Sequence, residues 1–80
     1  MSFQIGDTVM IAHDSEFYYP DGKLFDDNPP DIAGCIIDIE TLEDFSEYDE
    51  DYDISNAHNI VVDWPHGMNS YRFYDLVRVQ

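Results

Sequence analysis

The chain has 80 residues, with 3 Lys+Arg against 18 Asp+Glu, a formal net charge of −15 and a pI near 4.1. One domain is the limit at this length, because neither half would bury a core of its own. So few cations exclude direct binding to nucleic acid or an anionic membrane, and no apolar run reaches the ~18 residues of a membrane span.

The first residues, MSFQIGDTVMIAHD, lack the basic start and long apolar stretch of a secretory signal. Cys35 is alone, so no internal disulfide framework is expected, and a reducing cytoplasm is the simplest location. Aromatics make up 15% of the chain, which separates it from acidic disordered tails and predicts a packed core.

Phe3, Ile5, Val9 and Ile11 share a parity interrupted by the turn pair Gly6-Asp7, which predicts a first strand over about 8–13. Tyr19-Pro20-Asp21-Gly22 and Asn28-Pro29-Pro30-Asp31 are turn signals inside a long loop. Phe17, Tyr18, Tyr19 and Phe25 interleave with them, so the loop is expected to fold back onto the core. Residues 33–39 read as a second strand, with Cys35 expected as a small buried hydrophobe. Residues 59–64, rich in β-branched side chains, form the clearest strand. A turn over 65–69 leads to a fourth strand over 70–73 and a short fifth over 76–79.

The charge is concentrated. Nine acids and no base lie between residues 38 and 53: Asp38, Glu40, Glu43, Asp44, Glu47, Asp49, Glu50, Asp51 and Asp53. Residues 1–37 hold seven acids and Lys23, whereas 54–80 hold two acids and two arginines. Thr41-Leu42-Glu43-Asp44 fits a helix start, and Leu42, Phe45, Tyr48 and Tyr52 then fall on one helical stripe. An acidic loop with occasional aromatic contacts is the other reading, because crowded acids oppose a helix. The expected architecture is mainly β: one SH3-like five-stranded barrel over 1–80, with this acidic insertion between strands two and three.

The residues Val62-Asp63-Trp64-Pro65-His66-Gly67-Met68-Asn69-Ser70-Tyr71-Arg72 and Asp75-Leu76 carry a resemblance. With Gly6-Asp7-Thr8-Val9, Asn28-Pro29 and Gly34-Cys35-Ile36 added, the chain resembles small SH3-like proteins of tailed bacteriophages. It also resembles the SH3-like substrate-binding domain of the mind bomb ubiquitin ligases. Pro65 stands where the pattern has Asp, and the acidic segment has no counterpart. The resemblance implies an SH3-like fold and a non-enzymatic binding role, with no particular partner; if phage-encoded, the protein acts in the host cytoplasm.

Chemistry is hard to place on this sequence. No nucleophile-elbow or Cys/His signature surrounds any Ser or Cys35, and one Cys with three scattered His lacks the spacing of a zinc site. Asp49, Asp51 and Asp53 match the first calcium-loop ligands, but Ile54 and Ile60 stand where Gly and Glu are needed. No cofactor, metal site or enzymatic activity is expected. Phe17, Tyr18, Tyr19, Trp64 and Tyr74 offer either a peptide groove or core filling.

Three uses of the charge remain. It serves solubility alone, or captures a basic or proline-rich peptide tail, or imitates nucleic acid. Carboxylates three or four residues apart on a helix lie about 5–6 Å from each other, the scale of adjacent phosphates. Glu40, Glu43, Asp44, Glu47, Glu50 and Asp51 form such a row on the helical reading, and acids of the 14–31 loop supply a second. The expected partner of that row is a basic, nucleic-acid-binding host protein, and a symmetric homodimer would lengthen it.

Overall fold

Short runs of alternating apolar residues become strands because each can bury one face. In the computed structural model, residues 3–23, 27–40 and 57–79 are described. They form β1 (Thr8–Ile11), β2 (Gly34–Ile39), β3 (Ile60–Trp64), β4 (Gly67–Tyr71) and β5 (Leu76–Arg78), with a single 3-10 turn at Phe73–Asp75 before β5. The strands make one antiparallel sheet in the order β4-β3-β2-β1-β5. The last strand therefore returns beside the first, but the sheet is not closed; β4 and β5 are its edges.

Alternation selects the core. Val9 and Ile11 from β1, Ile36 from β2, Ile60, Val62 and Trp64 from β3, Tyr71 from β4 and Leu76 from β5 form one buried cluster. Burial of each large apolar side chain contributes about 1.5–3 kcal/mol. In β2 the register shifts between Ile36 and Asp38, leaving Ile37 as the extra residue of a β-bulge. Without that shift Asp38 would share the inward parity of Ile36. With it, Ile36 faces Val62, Ile39 faces Ile60, and Asp38 points to solvent.

Several sequence expectations change. Cys35 is exposed, not buried. Gly34 and Ile36 take the inward positions of β2, so Cys35 between them faces out. Gly34 itself is imposed by packing: a Cβ there would lie 2.4 Å from a carbon of the Trp64 ring. The turn after β3 is shorter than expected, because Trp64 already pairs with Gly67 across Pro65-His66. β4 consequently begins at Gly67 and ends at Tyr71, and Phe73 belongs to the 3-10 turn. β1 ends at Ile11, two residues before the expected end; one step further in the β1–β5 register, Ala12 donates its N–H to Asp75 O at 2.8 Å. Ile5 is 63% exposed, since Gly6, at φ +98°, breaks the parity it shares with Val9.

The long loop does fold back. Phe17 and Tyr18 pack against the core cluster, and Asn28 is buried. Phe25 lies outside the described residues.

Candidate anionic surface

The predicted acidic segment enters the described structure only at its start. Asp38 is exposed on the outer face of β2, opposite Val61. Glu40 is half-buried just beyond the strand. Its N–H donates to Asn59 O at 2.9 Å, and its own carbonyl accepts the Asn59 side-chain amide at 3.1 Å. That clasp holds the two ends of the β2–β3 connection side by side. Glu43, Asp44, Glu47, Asp49, Glu50, Asp51 and Asp53 lie outside the described residues, as does the expected helix.

Other acids are placed. Asp14, Glu16, Asp21, Asp27, Asp31 and Asp63 are exposed. The chain has few cations to offset them, and each is engaged. Arg78 reaches Asp7 at 3.1 Å, and Lys23 lies over the Tyr19 ring at 5.5 Å. Arg72 is the most committed. It grips Asp75 through Nε at 2.7 Å and Nη2 at 3.0 Å, reaches Glu16 at 2.6 Å, and stacks over the Phe17 and Tyr74 rings. The arginines are therefore spent on Asp7, Glu16 and Asp75, and among the described residues Asp14, Asp21, Asp27, Asp38 and Asp63 face solvent with no arginine or lysine against them.

Asp75 itself has no exposed surface. Burial pushes its carboxyl up, but the Arg72 guanidinium, the Ser15 hydroxyl at 2.8 Å and the Arg72 N–H outweigh it and hold the group below the ordinary carboxylate value. This cluster ties the first loop to the β4–β5 connector. In the sequence Asp75 stands out only in the Asp75-Leu76 pair of the SH3-like resemblance, and no local pattern ties it to Ser15 or to Glu16, which counts there only as one of the loop acids.

A second polar knot spans the core. The Trp64 indole N–H donates to Tyr71 Oη at 2.8 Å, and Tyr71 donates to Asn28 Oδ1 at 2.6 Å. Asn69 also donates to Asn28 Oδ1 at 3.1 Å. Burial pushes the Tyr71 phenol up to about 12. On the loop surface, Asp31 accepts from Tyr18 Oη at 2.7 Å and sits 2.9 Å from His13 Nε2; the Tyr18 and His13 contacts together lower its carboxyl.

Among the expected groove aromatics, Trp64 is buried and belongs to the core. Phe17, Tyr18 and Tyr19 are half-buried and Tyr74 is exposed, as is Phe73, which stands outside the expected set. Among the described residues, no cluster of His, Cys, Asp or Glu is arranged to hold a metal ion, and no helix is long and apolar enough to cross a membrane. No known protein family, curated protein or solved structure matches the chain.

Proposed function

We propose that the protein is a non-enzymatic acidic binding protein of the bacteriophage type, a nucleic-acid mimic that occupies the basic groove of a host DNA- or RNA-binding protein and inhibits it. The observation that carries this reading is the commitment of the arginines. With Arg72 taken by Asp75 and Glu16 and Arg78 by Asp7, no arginine is left to offset the exposed Asp14, Asp21, Asp27, Asp38 and Asp63 among the described residues. A net charge of −15 exceeds the magnitude of about 2–8 that solubility asks of a small domain. The scaffold is read as SH3-like. Five antiparallel strands, the return of β5 to β1 and the folded-back first loop support that reading. The nine acids from Asp38 to Asp53 are the binding residues on this reading; of them Asp38 and Glu40 lie among the described residues, Glu40 held by its hydrogen bonds with Asn59.

The test is displacement. A bacterial lysate is bound to duplex DNA-cellulose and eluted with the protein. A mimic releases a discrete DNA-binding protein, which poly-glutamate of matched charge does not. Reversal of Glu43, Glu47 and Glu50 to Lys abolishes release while the far-ultraviolet spectrum is unchanged. Release by poly-glutamate, or by the triple variant, contradicts the proposal.

A second reading is a peptide module that captures a basic or proline-rich tail. The exposed Phe73 and Tyr74 rings beside the Arg72–Glu16 pair favour it. Such a module binds an isolated basic peptide, whereas a mimic does not.

A further inference from the structure

The register of the sheet builds a row of outward side chains that the acidic segment does not explain. Thr8 pairs with Cys35, Cys35 with Asp63, and Asp63 with Met68, so these residues cross four strands on the outer face. All four are exposed. Thr8, Cys35 and Asp63 line an open cleft of about 360 Å³, walled also by Gly34, Trp64 and Pro65. That volume sits at the small end of the ~300–1,000 Å³ of ligand pockets, which suits one long side chain better than a whole cofactor. Asp63 makes no ion pair or side-chain hydrogen bond among the described residues. Arg72, Arg78 and Lys23 are all engaged elsewhere.

We propose that this cleft receives an arginine side chain of the basic partner, with its stem along Pro65 and the Trp64 edge and its guanidinium on the Asp63 carboxylate. A carboxylate at the mouth of a largely apolar cleft selects a cation. The guanidinium is the more weakly hydrated of the two cationic heads and the better fit to apolar walls. The proposal rests on the reading of the protein as a ligand for basic partners and adds a second point of attachment, made of residues outside the 38–53 segment.

Two reporters stand in the cleft: Trp64, the only tryptophan, and Cys35, the only cysteine. The probe is N-acetyl-arginine methylamide, with the citrulline analogue as its neutral isostere. The arginine probe shifts the Trp64 indole resonance saturably and slows iodoacetamide alkylation of Cys35 several-fold, and the citrulline probe does neither. Asp63→Asn keeps the wild-type spectrum, because the Asp63 side chain makes no ion pair or hydrogen bond among the described residues, and weakens the probe at least tenfold. Reversal of Glu43, Glu47 and Glu50 to Lys leaves the cleft titration in place. Equal responses to both probes, an unaffected Asp63→Asn variant, or unchanged alkylation of Cys35 overturns the proposal. DNA displacement is scored separately, so its failure with an intact cleft titration bears on the mimic alone.

Discussion

Asp75 is where a single side chain decides most. It is fully buried and ionised, held by Arg72 and Ser15, and it fixes the first loop against the β4–β5 connector. Removing the Asp75 carboxylate takes the acceptor from the Ser15 hydroxyl and the Arg72 N–H but leaves Arg72 its ion pair with Glu16, so the cost is that of stranded hydrogen-bond groups, about 1–3 kcal/mol. Asp75→Ala is expected to lose that much in urea denaturation at pH 7. The sign with pH follows from the lowered carboxyl. Its stabilisation is complete above the ordinary value of 3.8 and is lost as pH falls through the lower folded value, so the gap between wild type and variant narrows in strong acid. Tyr71 behaves oppositely. Its phenol is raised from 10 to about 12, so the neutral form is favoured in the fold, and its contribution fades as pH climbs between those values. Tyr71→Phe strands the Trp64 N–H and leaves Asn28 Oδ1 only the Asn69 amide as donor, with an expected cost of about 1–3 kcal/mol and a flatter alkaline limb of the unfolding curve.

Among the elements, β2 carries the most information per residue. Its bulge keeps Ile36 and Ile39 inward while sending Asp38 out, and its first residue must be glycine to admit the Trp64 ring. Gly34→Ala places a methyl 2.4 Å from Trp64 and 2.7 Å from Val62, both inside the core. Overpacking of this kind costs about 1–3 kcal/mol, expected as a lowered urea midpoint with altered Trp64 fluorescence. The strands were legible because alternation and β-branching mark them; β3 and β5 differ from expectation by one residue at one end. The β4 start was not, because a run of turn-forming residues looks longer than the two that Trp64↔Gly67 pairing leaves unpaired. Cys35 was misread for a related reason. An apolar run does not reveal which parity faces inward, and only the Trp64–Gly34 contact settles it. The Arg72–Asp75–Ser15 cluster joins positions some sixty apart in sequence, a distance no local pattern spans.

At the scale of the molecule, the acids oppose folding and have to be explained by something other than the fold. Self-repulsion of a −15 chain weakens as salt screens it over a Debye length of about 10 Å at 0.1 M. Added salt is therefore expected to stabilise the free protein against urea, while weakening its hold on a basic partner. Those opposite responses separate a charge used for binding from one that merely accompanies the fold. Of the candidate surface, the charge count was readable from the sequence; the clasp at Glu40–Asn59 and the outward place of Asp63 beside Cys35 needed the register of the sheet. The most direct measurement is release of a protein from duplex DNA-cellulose as sodium chloride rises from 50 to about 500 mM, a range over which multi-phosphate contacts lose affinity by orders of magnitude. A mimic releases its target at low salt, in proportion to the protein added, and the Glu43, Glu47 and Glu50 to Lys variant releases nothing. Release that persists in that variant, or that any polyanion of equal charge reproduces, contradicts a dedicated anionic ridge.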